Sequence, residues 1–294
     1  MSFKKNVTVV MDMGGTYLKF GIMDDAYDLL YHDQIDARSD LERESLLENI
    51  CIPVARCLSE SQAQGYNVTS LAISTPGPFD YIQGKSFMKG KYDSIYDVAL
   101  RDEIYSRCNV KDRFPIHFMQ DATAYGVGEY VVGAARGVEN FCCVTLGTGV
   151  GFSIRKDGEQ LKNERGGSYF PLGFQEYNGI KLDDLVSGRA IKNRFGKSAK
   201  ELKELADAGD EDAKRIFHEC AVILGECVCR VDVIDRMQLL VVGGQVSNSF
   251  EYWENGIREG LIKCGVDLKI ERSSSPEFSA LYGAMYLSKN MKNG

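Results

Sequence analysis

The sequence predicts an α/β protein made of two lobes of like design, and three observations carry that expectation. Apolar strand-like runs alternate with helical patterns along the chain, the order that lays helices against a mostly parallel sheet. A pattern of strand, glycine-rich turn and strand over residues 7–30 returns over residues 141–161, as when one domain plan is used twice. The 294 residues are long for one domain and natural for two of about 150 each.

The elements follow in order. Met1 to Asn6 run straight into an apolar strand, Val7 to Met11, which ends in Asp12-Met13-Gly14-Gly15-Thr16. An alternating strand, Leu18 to Ile22, and a turn at Asp24-Asp25 complete the first hairpin. Residues 40–64 carry apolar side chains at helical spacing (Leu46, Leu47, Ile50, Val54, Leu58), with Asp40 or Ser39 as the expected N-cap. Residues 70–74 and 114–119 read as short buried strands, and residues 122–135 as a helix despite their glycines. The second hairpin pairs Phe141 to Leu146 with Phe152 to Ile154 across Gly147-Thr148-Gly149-Val150-Gly151, and turns at Lys156-Asp157-Gly158. Residues 210–235 form the longest helical pattern, residues 238–242 a buried strand, and residues 279–290 a closing helix. The expected lobes are residues 1–120, with the closing helix crossing back to them, and residues 121–278.

Composition excludes several functions. A net charge of −7 argues against a nucleic-acid-binding face, and the basic cluster Lys85 to Lys91, interrupted by Phe87, Met88 and Gly90, reads as a solvated loop. No apolar run approaches the roughly 18 to 20 residues that span a bilayer. The N-terminal apolar run is too short for a signal peptide and lacks a small-residue cleavage site, so the expected compartment is the cytoplasm. The nine cysteines include no Cys-x-x-Cys pair, and with three histidines there is no recognisable zinc ligand set. Reduced core thiols are expected.

Four motifs bear on chemistry. Gly14, Gly15 and Thr16 after a buried strand bring backbone N–H groups and a hydroxyl close to an anion, with Lys19 as a nearby charge and Asp12 as a carboxylate for water-bound Mg²⁺. The competing reading is a tight hairpin turn. Gly147, Thr148 and Gly149 form a second phosphate-loop candidate; a strand follows where a dinucleotide-binding fingerprint needs a helix. Gly243-Gly244-Gln245-Val246-Ser247, after the strand Leu239 to Val242, is either a surface for adenine or ribose or a helix-entry turn. Gln120-Asp121-Ala122-Thr123 sits at a strand-to-helix junction, where an acid caps a helix or faces the cleft as a general base. Three glycine turns, each after a buried strand, together describe a nucleotide clamped between two lobes.

The ordered set resembles the ROK family (repressors, open reading frames and kinases) of the actin/hexokinase/Hsp70 superfamily. It comprises Asp12-x-Gly14-Gly15-Thr16 with Lys19, Ser74-Thr75-Pro76-Gly77-Pro78, Asp121-Ala122-x-Ala124 with Gly128-Glu129, residues 146–151, Gly243-Gly244-x-x-Ser247 and Leu281-Tyr282-Gly283-Ala284. The resemblance implies two ribonuclease H-like (actin-like ATPase) lobes with a cleft between them. It implies ATP-dependent phosphorylation of a hexose or hexose derivative, at the 6-position, with Asp121 as the base and Gly77 and Gln120 on the sugar side. It further implies a homodimer without nucleic-acid or membrane partners.

The departures cluster on the sugar side. The family's Gly-Glu-x-Gly-His segment is replaced near Phe170-Pro171-Leu172-Gly173-Phe174, and residues 180–187 hold no cysteine, so structural zinc is not expected. Glu176 and Asp183 are the acids that would restore a carboxylate to the sugar pocket. The family's Asn-rich sugar segment is replaced by Lys91-Tyr92-Asp93-Ser94-Ile95-Tyr96. The expected substrate is therefore an unusual one: a β-glucoside, N-acetylmannosamine or another modified hexose. The alternative is a non-catalytic sugar-sensing protein; the family's repressors carry a DNA-binding domain before the first motif, for which residues 1–11 leave no room.

Overall fold

The computed structural model describes residues 5–110, 114–274 and 277–291. Residues 1–4, part of the short segment read before the first strand, lie outside them. The chain divides into two compact units. The first comprises the described residues up to Gly128, Lys162–Gly167 and the chain from Phe278 onwards; the second comprises Glu129–Leu161 and Ser168–Glu277.

The first unit begins with β1 (Lys5–Met13), β2 (Tyr17–Asp24), β3 (Leu29–Asp36), α1 (Arg43–Gln64) and β4 (Tyr66–Thr75). The short strands β5 (Phe79–Asp80) and β6 (Lys85–Ser86), α2 (Leu100–Arg107), β7 (Ile116–Gln120) and α3 (Asp121–Val132) follow. The second unit holds β8 (Phe141–Leu146), β9 (Val150–Lys156), β10 (Glu159–Gln160) and a small hairpin, β11 (Glu176–Tyr177) with β12 (Ile180–Lys181). Then come α4 (Asp183–Val186), α5 (Gly188–Phe195), α6 (Ala199–Asp207), α7 (Glu211–Val228), β13 (Leu239–Gly243), α8 (Glu254–Lys263) and β14 (Lys269–Arg272). The last helix, α9 (Ser279–Met291), belongs to the first unit.

The internal repeat extends to whole sheets. The first is ordered β3-β2-β1-β4-β7 and the second β10-β9-β8-β13-β14. In each, three strands meander antiparallel and two more join in parallel, β4 and β7 beside β1, β13 and β14 beside β8. β1 is apolar from Val7 to Met11 but for the buried Thr8, because both its faces are covered. Val7, Val9, Met11 and Met13 share a core with Leu46, Leu47, Ile50 and Val54 of α1, while Val10 is buried too and α9 packs against β1, β4 and β7. Each such side chain contributes about 1.5–3 kcal/mol on burial. In the second unit Phe217, Cys220, Ala221, Leu224 and Val228 form the buried stripe of α7 against Cys142, Val144 and Leu240.

Three helices differ in extent from their sequence patterns; α3 stops at Val132, short of residue 135, and the chain then turns through Gly133 and Gly137. α1 starts at Arg43 and is preceded by Glu42, which makes no side-chain capping bond. Ser39 does not cap it; the Ser39 carbonyl instead accepts the Tyr92 N–H at 3.1 Å, holding residues 38–41 in a turn. α7 is capped as expected by Asp210, whose Oδ1 accepts the Ala213 N–H at 2.8 Å, but it ends at Val228. Beyond it the backbone bonds tighten from i−4 to i−3, Arg230 N–H to the Cys227 carbonyl at 3.2 Å and Val231 N–H to that of Val228 at 3.1 Å, and the chain passes into a 3₁₀ turn at Ile234–Arg236.

All nine cysteines are free thiols. Among the described residues no helix is long and apolar enough to cross a membrane. Glu129, fully buried in the second unit, accepts from Ser273 Oγ at 2.6 Å, Ala134 N–H at 3.0 Å and Ser274 N–H at 3.1 Å, so its burial is satisfied.

Candidate functional site

The carboxyl ends of the parallel strands β1, β4 and β7 lie side by side, the edge of an α/β sheet where ligands bind. Register fixes what meets there. Asp12 is opposite Ser74 on β4 and Lys19 on β2, and Thr75 is opposite Gln120, the last residue of β7. Ser74 Oγ donates to Asp12 Oδ1 at 2.8 Å. One residue past Gln120 the chain becomes α3, so Asp121 stands at that same edge. Its Oδ1 accepts the N–H of Ala122 at 2.7 Å. A capping side chain reaches the N–H two or three residues on, so this contact to the next residue is not the usual cap. Thr123 Oγ1 donates to Gln120 Oε1 at 3.0 Å and fixes the Gln120 side chain.

The glycine hairpin between β1 and β2 is pinned from inside. The Gly14 N–H is taken by the Tyr17 carbonyl at 3.0 Å, so it is not free for an anion as the motif implied. The N–H groups of Gly15 and Thr16 have no backbone acceptor among the described residues. The Gly14 carbonyl accepts the Tyr92 hydroxyl at 2.7 Å. Tyr92 is fully buried with φ of 58°, and its neighbour Lys91 is carried over Gly15. A Cβ on Gly15 would lie 2.6 Å from Lys91 Nζ. Lys91 is thus half-buried against the hairpin and is not part of a solvated loop, although Lys89 and Gly90 beside it are exposed. Gly77 lies under Tyr81, its Cβ position 3.2 Å from the phenol oxygen, and that hydroxyl donates to the Thr75 carbonyl at 3.3 Å.

Burial raises the Asp121 carboxyl pKa to about 6; the Ala122 N–H and Lys91 oppose the rise and the charge of Asp12 adds to it. Asp12 is raised also, by burial, against its Ser74 hydrogen bond and the charge of Lys19. Two acids that each resist ionisation, one at pKa about 6, make a proton acceptor poised near neutrality.

In the second unit the loop from Gly147 to Gly149 closes by a Gly147 N–H bond to the Gly149 carbonyl at 3.0 Å, and Thr148 and Gly149 are exposed. Gly188 N–H donates to the Gly147 carbonyl at 2.8 Å. Asp183 braces this loop: Oδ1 accepts the Val150 N–H at 2.6 Å and Oδ2 pairs with Arg189 at 2.5 Å. Gly243 ends β13, and Gly244, with φ of 82°, backs onto Leu146, whose carbonyl oxygen would be 2.5 Å from an added Cβ. A side chain at Gly244 is excluded by backbone conformation and by space. Glu176 stands exposed on the β11–β12 hairpin, where its carbonyl accepts from Arg230. Asp183→Ala is expected to loosen this loop, read as at least about tenfold faster amide hydrogen exchange at Val150; unchanged exchange there would show that Asp183 does not brace it.

Sequence reasoning singled out Asp12, Lys19, Gly77, Gln120 and Asp121, which the first unit gathers at or beside one sheet edge. It named Lys91 and Tyr92 only as the start of the segment that replaces the Asn-rich sugar segment (Lys91 also as the end of a basic loop), without a role, and did not single out Tyr81.

An acid poised near neutrality beside a hairpin with available amides is a site that can take a proton from a hydroxyl while holding an anion. Its setting, two like-built α/β units, is the actin-like ATPase fold. The sequence profile of the ROK family matches residues 8–169 and 177–291, and the chain belongs to that family. The profile breaks off over the stretch that contains the rebuilt segment Phe170 to Phe174. The glucokinase of Thermotoga maritima is 24% identical over 284 residues, covering 86% of each chain. The ROK hexokinase from Thermus thermophilus superposes with a TM-score of 0.79 at 24% identity, over 98% of this chain and all of that one. A ROK family glucokinase from Streptomyces griseus, in complex with glucose and AMPPNP, gives 0.79 at 22% identity over 97% and 99%.

Proposed function

We propose that the protein is an ATP-dependent carbohydrate kinase. In this reading it transfers the γ-phosphoryl group of ATP to a hydroxyl, the 6-hydroxyl, of a hexose or modified hexose. The observation that carries the reading is Asp121, with a pKa of about 6, at the sheet edge beside the glycine hairpin. The related glucokinases, and the Streptomyces griseus structure with glucose and AMPPNP, support it.

Asp121 takes the proton of the attacking hydroxyl, and Gln120 and Gly77 line the sugar side. Gly15, Thr16 and Lys19, with Gly147, Thr148 and Gly149, hold phosphates; Gly243 and Gly244 meet the adenosine. Phosphoryl transfer asks mostly for positioning and charge stabilisation, which amides and cations supply. Asp12 fits magnesium, since Ser74 engages one carboxylate oxygen and leaves the other, and Mg²⁺ favours one or two carboxylates with phosphate and water. When bound, that ion supplies charge neutralisation on the phosphates. The enzyme is proposed to act in the cytoplasm as a homodimer.

A coupled ADP-release assay over a panel of hexoses, β-glucosides and N-acetylated hexoses tests the reading. Sugar-dependent ADP release is the expected result. No acceleration by any sugar, with sugar binding retained, would point to the sensor alternative, and release without sugar would point to an ATPase.

A further inference from the structure

Lys91 is held by more than its own flexibility. Its neighbour Tyr92 is buried, takes a left-handed backbone conformation (φ 58°), donates its hydroxyl to Gly14 and is bonded through its N–H to Ser39. A tyrosine at positive φ is uncommon and persists where the surroundings over-determine it. These contacts direct the Lys91 stem across Gly15, with Nζ, Cε and Cδ at 2.6, 3.0 and 3.3 Å from that residue's Cβ position. The ammonium is close enough to Asp121 to oppose the rise in its pKa, yet among the described residues it forms no ion pair within 4.0 Å. Lys91 is therefore a half-buried cation held beside a glycine hairpin and near an acid with which it forms no ion pair.

We propose that Lys91 is the cation that meets the γ-phosphoryl group during transfer. The inference rests on the kinase reading. As the acceptor oxygen forms its bond to the γ-phosphorus, the bond from that phosphorus to the bridging oxygen of ADP breaks, and the hydroxyl proton passes to Asp121. The phosphoryl group is therefore one bond from an oxygen in hydrogen-bond reach of Asp121, and its equatorial oxygens carry charge throughout. Lys91 Nζ lies over Gly15 and acts electrostatically on Asp121, so in this proposal it is a fixed cation that stabilises the charge without reorganising at the moment of reaction. It also restrains Asp121 from taking up its proton before the acceptor arrives. Burial sets the Asp121 titration first, then the Ala122 N–H of α3, Asp12 of β1 and Lys91, with Lys19 acting on Asp12; the Tyr81 phenol beside it is itself raised by burial and by the charge of Asp121.

The test compares wild type, Lys91→Met, Lys91→Gln and Lys91→Arg, each checked for folding by circular dichroism. Affinities for ATP and ADP with magnesium are measured by titration calorimetry, and kcat and KM with a sugar that supports turnover. Neutral variants are expected to lose about tenfold in ATP affinity with ADP affinity kept, or about 10²-fold in kcat with the sugar KM little changed. The acid limb of their kcat/KM profile should move to higher pH, and Lys91→Arg should recover most of both. Wild type with equal affinity for ATP and ADP, or neutral variants within threefold of wild type in both affinities and kcat, would overturn the proposal. If no sugar supports turnover, the kinase reading fails, while the ATP-to-ADP affinity ratio still decides the role of Lys91.

Discussion

Asp121→Asn is expected to lower kcat for sugar phosphorylation by about 10³-fold and to leave the affinity for ATP nearly unchanged, since general-base catalysis contributes roughly 10²–10⁴. The amide keeps the size and the acceptor oxygen facing Ala122 but has no basic lone pair for the proton. Steady-state kinetics with the sugar found in the panel measure the loss; activity within tenfold of wild type would remove Asp121 as the base. The pH profile gives a second reading. Because the carboxylate must be ionised, kcat/KM should rise with pH through about 6 and level above it. The same substitution should also stabilise. Folding raises the Asp121 pKa from its ordinary 3.8 to about 6, so the ionised group costs stability at neutral pH, and the cost fades as pH falls through 6. Asp121→Asn removes that charge, and its Tm at pH 7.5 should be at or above that of wild type. A lower Tm would mean the carboxylate braces the helix start.

Gly283→Ala is expected to destabilise the first unit by about 3 kcal/mol, at the upper end of overpacking costs. α3 and α9 cross with almost no separation at two glycines. A Cβ on Gly283 would lie 1.7 Å from the Ala124 carbonyl oxygen, and one on Gly128 would lie 1.8 Å from that of Ser279. Neither neighbour is a flexible side-chain end; both are helix backbone, so one helix must move. α3 carries Asp121 at its first residue, and shifting it moves the base. Urea denaturation should show the loss, and kcat should fall with it even though Gly283 touches no ligand. Gly137→Ala is the control: that glycine has φ of 79° but nothing near its Cβ, so only backbone strain is added, about 1 kcal/mol. Equal stability of Gly283→Ala and wild type would show that the helices pack further apart.

The fold was legible where short-range pattern decides it. The apolar runs of β1, β4, β8 and β13, the helical spacing of α1 and the two glycine hairpins each sit within a few residues of their expected bounds. β3, β14, α5, α6 and α8 were not read at all. β3 is an edge strand with half-exposed and exposed residues, so it lacks the apolar run that marks a buried strand. The small helices of the second unit carry mostly polar residues, and packing against neighbours holds them. Among site residues, Asp121 was visible at a strand-to-helix junction, which fits a helix cap as well as a base, and the glycine turns with the family resemblance gave it the base's role.

The sequence by itself determined the repeated hairpin, the alternation that builds two α/β sheets, and an acid at the end of β7. These depend on side-chain period and glycine placement within one element, which the chain carries locally. Only the tertiary structure decided how that acid is tuned and what stands beside it. Asp12 meets Ser74, Lys91 crosses Gly15 through Tyr92, Asp183 braces Val150, and Gly128 meets Ser279, each joining segments far apart in the chain. No local pattern encodes such a pair, because its energy exists only once both segments are packed. Lys91 looked like a solvated lysine until the burial of Tyr92 fixed it over the hairpin.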